Sequence, residues 1–121
     1  VEDLYNELTK QNVEAYNSGD LERVIQVYGK HGVLVDKKNQ KSAYGRDEIR
    51  KMLAPFIELG KTEFKPFNQK VTSLGDNRFH VQSSFETIIL STGTVMKGSF
   101  EQLFAKEGNE WIVLYEIFDA E

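Results

Sequence analysis

Apolar residues recur at every third or fourth position as far as Leu59, and at every second position from Thr62 onward. A chain with that change of period folds its first half mainly as helix and its second half as strand, which constrains it to an α+β architecture. Upstream of the change, Tyr5, Leu8, Asn12 and Tyr16 lie on one stripe, widened by Leu4 and Ala15, and predict an amphipathic helix over 2–17. Asn17-Ser18-Gly19-Asp20 ends it, and Asp20 is placed to cap a second helix. Leu21, Val24, Ile25 and Tyr28 form the buried face of that helix, and Gly29 closes it. Val33-Leu34-Val35 predicts a strand running into Asp36, followed by a polar turn over 37–41 and a return strand through Tyr44. A third helix is predicted over 46–59, with Ile49, Met52, Leu53, Phe56 and Ile57 on one side. An interior proline costs a helix about 3 kcal/mol, so Pro55 predicts a kink or an end near Ala54.

Downstream, four strands are predicted over 62–74, 78–91, 94–106 and 110–119. Gly75-Asp76-Asn77, Ser91-Thr92-Gly93 and Gly108-Asn109 separate them with hairpin turn chemistry, which gives an antiparallel meander. The order is ααββαββββ, with three helices on one face of a curved, mainly antiparallel sheet. At 121 residues the chain has the length of one domain, 1–121, and can hold a core without staples. It has no cysteine, so disulfides and thiolate chemistry are excluded. A formal charge of −4 argues against nucleic acid as a partner. No apolar run approaches the roughly 20 residues of a membrane span, so a soluble protein is expected. Residues 1–15 carry no secretory leader and no Asn-x-Ser/Thr site occurs, which makes the cytoplasm the expected location.

Alternation sorts the strand residues by face. Phe79, Val81, Ser83 and Phe85 share one face, opposite His80, Gln82, Ser84 and Glu86. Met96, Phe100, Gln102 and Phe104 likewise share one, opposite Lys97, Ser99 and Glu101. The last strand is apolar on both faces: Trp111, Val113, Tyr115 and Ile117 alternate with Ile112, Leu114, Glu116 and Phe118. Helices cover only one side, so a homodimer is expected through Ile112, Leu114 and Phe118. Asn12 and Gln102 are polar residues on apolar stripes. A buried amide without partners costs on the order of 1–3 kcal/mol, so each either bonds a neighbour or faces a wet cavity.

Asn17-Ser18-Gly19-Asp20-Leu21, Val24-Ile25-Gln26-Val27-Tyr28, Val33-Leu34-Val35-Asp36 and Tyr44-Gly45-Arg46-Asp47-Glu48-Ile49, in that order, resemble the nuclear-transport-factor-two-like superfamily. Glu110-Trp111-Ile112 before a final strand is also typical of it. That group includes ketosteroid isomerase, polyketide cyclases of the SnoaL type, scytalone dehydratase and the calcium/calmodulin-dependent kinase association domain. The chain looks most like its stand-alone members of unknown function. The resemblance covers the whole chain and implies a cone-shaped, cystatin-like fold with a cavity between helices and sheet, usually dimeric through the sheet. It places the isomerase's base on Asp36, its helix-one tyrosine donor on Asn12 and its late-strand acid near 100–102. Neither donor is reproduced, although Asn12 and Gln102 can each donate an amide hydrogen bond. Lys37-Lys38 follows Asp36 where the isomerase has a proline, which points to an exposed carboxylate and away from steroid isomerisation. Dehydratase and cyclase members rely on a cavity histidine. Here His31 begins a strand and His80 falls on the outward face.

Together these readings point to a dimeric small-molecule-binding domain. Its expected pocket wall is Asn12, Tyr16, Tyr28, Phe56, Phe85, Phe100, Gln102, Phe104 and Tyr115. That wall suits an apolar or aromatic ligand with one or two polar atoms. Two alternatives remain open: a cofactor-free lyase or isomerase with Asp36 as general base, and an assembly module that works through its sheet face. No cofactor is expected. No metal is expected either, because no His-x-x-x-His or His-Glu pair occurs. Gly93-Thr94-Val95-Met96-Lys97-Gly98-Ser99 lacks the lysine of a phosphate loop.

Overall fold

A computed structural model describes residues 1–121. Helix α1 (Glu2–Asn17) turns Tyr5 and Ala15 inward and ends where Ser18 Oγ donates to the Ala15 carbonyl (2.6 Å). Asp20 caps α2 (Leu21–Ile25), its Oδ1 accepting from the amides of Glu22 (3.1 Å) and Arg23 (3.3 Å). The second helix is therefore shorter than the spacing predicts, and Tyr28 opens a strand, β1 (Tyr28–Asp36). The sheet captures this stretch: the Val113 amide donates to the Val27 carbonyl (2.9 Å), and Tyr28 pairs with Val113. Strand β2 (Lys41–Tyr44) returns antiparallel, and Gly45, at φ +81°, turns directly into α3 (Gly45–Ile57). That helix runs through Pro55 instead of stopping near Ala54. The proline sits in the last turn, where one ladder bond is lost, and the Glu58 amide still donates to the Ala54 carbonyl (3.1 Å).

Strands β3 (Thr62–Ser73), β4 (Arg78–Ile89), β5 (Thr94–Glu107) and β6 (Glu110–Ala120) form the expected meander. The six-stranded sheet has the order β2-β1-β6-β5-β4-β3, antiparallel except where β1 runs parallel to β6. No helix is long and apolar enough to cross a membrane. Three helices thus lie against a curved, mostly antiparallel sheet, as the change of period predicts.

One irregularity positions the site. Leu103 pairs with Tyr115 while the next residue, Phe104, pairs with Val113, so β6 carries one extra residue at Leu114. Trp111 and Val113 face the helices before this bulge; Glu116 and Phe118 face them after it. The strand that reads as apolar on both faces is one strand that changes phase. The expected outer patch is corrected accordingly. Phe118 belongs to the interior wall, and Ile112, 5% exposed, is covered by its own chain against Gly29. The outward apolar residues are Val33 and Val35 on β1, Leu103 on β5, and Tyr115 and Ile117 on β6.

The closed end of the molecule is solid. Phe79 stacks on Phe104 (4.7 Å between ring centroids), Tyr5 meets both edge-on at 6.3 and 6.2 Å, and Trp111 covers Phe79 at 5.3 Å.

Candidate functional site

Between α1 and α3 on one side and β3–β6 on the other lies a cavity of about 590 Å³. Two tethers hold its walls. Asn17 Oδ1, at the end of α1, accepts from the Phe64 amide (3.1 Å) and the Thr62 hydroxyl (3.3 Å), fixing the start of β3. Arg46 Nε, at the start of α3, donates to the Tyr28 carbonyl (3.0 Å) and fixes the start of β1. The wall between them is aromatic. Phe64 lies 5.8 Å from Tyr16, 5.9 Å from Phe85 and 6.0 Å from Phe100, centroid to centroid. Met52, Leu53 and Phe56 of α3 face these rings across the cavity.

The inner end is polar. Glu116 is 8% exposed, and Gln102 Nε2 donates to its Oε1 at 2.6 Å. The Tyr28 hydroxyl donates to the same oxygen over 3.4 Å, and the Tyr16 and Tyr28 hydroxyls are 2.8 Å apart. Oε2 of Glu116 accepts no hydrogen bond from the chain. Burial pushes this carboxyl up to about 7, against the hydrogen bonds from Gln102 and Tyr28, which favour the charged form. Burial and the neighbouring Glu116 charge hold the Tyr16 and Tyr28 phenols well above their ordinary value, so both stay protonated. The Thr9 hydroxyl, also on the cavity wall, is buried without a partner.

Asn12, Tyr16, Tyr28, Phe56, Phe85, Phe100 and Gln102 all line this cavity. Phe104 and Tyr115 do not. Phe104 is locked in the solid end between Phe79 and Tyr5, and Tyr115, 36% exposed, is turned outward by the bulge. Asp36 stands at the mouth with Lys38 and Asn39. Its Oδ1 accepts from the Asn39 amide (3.2 Å) and its Oδ2 from Asn39 Nδ2 (2.8 Å), so the carboxylate braces the β1–β2 turn. Glu116 is the residue that sequence reasoning missed. Strict alternation assigns it to the outer face, and its one signal is that it is a lone acid amid Trp111–Phe118, otherwise apolar. No cluster of three or more His, Cys, Asp or Glu side chains could hold a metal.

No family model matches the chain, and no curated protein is similar to it in sequence. Solved structures are. A structure from Shewanella oneidensis, a nuclear-transport-factor-two-like protein of unknown function, is 24% identical with a TM-score of 0.77 over 98% of both chains. Another of that description from Pseudomonas putida is 15% identical with a TM-score of 0.83, covering 99% of this chain and 86% of that one. The fold is nuclear-transport-factor-two-like. A candidate scytalone dehydratase from Novosphingobium aromaticivorans shares this nuclear-transport-factor-two-like form at 12% identity and a TM-score of 0.82, over 97% of this chain and 81% of that one.

Proposed function

We propose that this protein binds a small, largely apolar molecule in the cavity between α1, α3 and the sheet. The observation that carries the reading is the division of one roughly 590 Å³ space into an aromatic wall and a single polar inner end. A pocket that is mostly apolar with a few convergent polar groups is the usual form of a small-molecule site. Asn12, whose side chain makes no hydrogen bond within the chain, and Gln102 would orient the ligand's polar atoms. The test is binding of an indole-sized ligand followed by NMR. Shifts confined to residues around Phe64, Phe85 and Phe100, and lost in Phe85→Trp, which fills the space, are expected. A chain that binds no such ligand in its cavity would refute the reading.

Two copies pairing through Val33, Val35, Leu103, Tyr115 and Ile117 form the second part of the proposal. Its support is that these outward apolar residues, Tyr115 exposed and the other four half-buried, are contiguous across β1, β6 and β5.

A cofactor-free proton transfer on the bound molecule is a second reading, favoured by one observation. A carboxyl pushed up to about 7 in an apolar cavity suits a general base, and that carboxyl is Glu116, while Asp36 is held by Asn39 at the mouth.

A further inference from the structure

We propose that the cavity's ligand carries a protonated amine, seated against Glu116 Oε2 and the Tyr16 hydroxyl oxygen, with its apolar body along Phe64, Phe85 and Phe100. The inference rests on the ligand-binding reading above and names the class of ligand.

The direction of the hydrogen bonds carries it. A tyrosine hydroxyl has one hydrogen to give. Either hydroxyl can donate in the 2.8 Å pair; when Tyr28 gives its hydrogen to Glu116 Oε1 over 3.4 Å, Tyr16 is the donor to Tyr28. Gln102 turns its amide N–H to the same carboxylate oxygen. Both donors that reach the carboxylate, Tyr28 and Gln102, use Oε1 and leave Oε2 open. Around the carboxylate this leaves Glu116 Oε2, a free lone pair of Tyr16 and Gln102 Oε1 as acceptors for a ligand, with the Thr9 hydroxyl and the Asn12 amide as the wall's donors without partners. A group with several N–H donors on one nitrogen complements that set, and a carbonyl or carboxylate does not.

Charge points the same way. The single basic residue on the cavity wall is Lys38, at the mouth, with its Nζ donating to the Glu121 carbonyl (3.1 Å). Glu116 therefore has no countercharge in its own chain.

The groups facing Glu116 make its titration a single event. Helix α1 contributes Tyr5 and Tyr16, β1 contributes Tyr28, and all three phenols are raised. Strand β5 contributes the neutral Gln102; α3, β3 and β4 contribute Met52, Phe56, Phe64, Phe85 and Thr87, none of them charged. Asp36, Lys38 and Glu121, the other charged residues of the wall, stay at the mouth. An amine binds the ionised carboxylate, so its affinity rises with pH through about 7.

Calorimetric titration of the full chain with tryptamine and with its neutral counterpart tryptophol, at pH 6, 7 and 8, tests this. Tryptamine is expected to bind up to ~10-fold tighter at pH 8 than at pH 6, the limit set by deprotonation of one group near 7, with tryptophol unchanged. Glu116→Gln is expected to abolish both the preference for the amine and the pH dependence of its binding. The wild-type pH series stands without any variant, so a Glu116→Gln chain that fails to fold does not weaken the test. Equal affinities for amine and alcohol, or a preference that survives in folded Glu116→Gln, would overturn the inference alone. Binding of neither ligand would overturn the pocket reading as well.

Discussion

Glu116 is the residue whose environment departs furthest from its chemistry. Its carboxyl titrates near 4.5 when unfolded and near 7 in the folded chain. The folded state therefore holds the proton more tightly than the unfolded one. The stability this contributes is fully present below about 4.5 and is lost as pH rises through about 7. The difference corresponds to roughly 3 kcal/mol. Urea unfolding of wild type and Glu116→Gln at pH 4.5 and pH 8 should show it. The variant is expected to gain about 3 kcal/mol over the wild type between the two values. Parallel pH profiles would mean that Glu116 is not desolvated. Much else at this scale was readable beforehand. The three- and four-residue spacing of Tyr5, Asn12 and Tyr16 brought all three to the inner side of α1, and alternation brought Phe85, Phe100 and Gln102 to the same space. Glu116 was not readable, because alternation counts residues and a bulge adds one.

At the scale of the element, β6 lies close against β5 at Gly98. A Cβ there would collide with the Asp119 carbonyl, and would lie 2.9 Å from Phe85 Cε1 and 3.0 Å from Ala120 Cα. Gly98→Val is expected to destabilise the fold by roughly 1–3 kcal/mol through overpacking. It should also push the Phe85 ring into the cavity and weaken ligand binding. An unchanged midpoint in chemical denaturation would show that β6 gives way freely. The boundaries of these elements show where local sequence loses to tertiary context. Val24, Ile25 and Tyr28 have helical spacing, yet the Val27 carbonyl bonds β6 and the chain is drawn into the sheet. Pro55 predicts a kink or an end near Ala54, but a helix that ends two residues later loses too little to break there.

For the whole molecule, the open question in the sequence was what covers the second apolar face of β6. The bulge answers half of it, since Phe118 turns inward and Ile112 lies against Gly29. Val33, Val35, Leu103, Tyr115 and Ile117 remain as the patch for a second copy. Light scattering of the wild type is expected to give the mass of a dimer, and Tyr115→Lys with Ile117→Lys is expected to give a monomer. A monomeric wild type would leave that face to the solvent.

The extra residue at Leu114 has a further consequence, for divergence among chains of this shape. Deleting it would leave Glu116 opposite Gln102 and Phe118 opposite Phe100, whereas a strand that kept Leu114 but lost the bulge would turn Tyr115 and Ile117 inward in their place. Alignments that close this gap would pair residues from opposite sides of the wall.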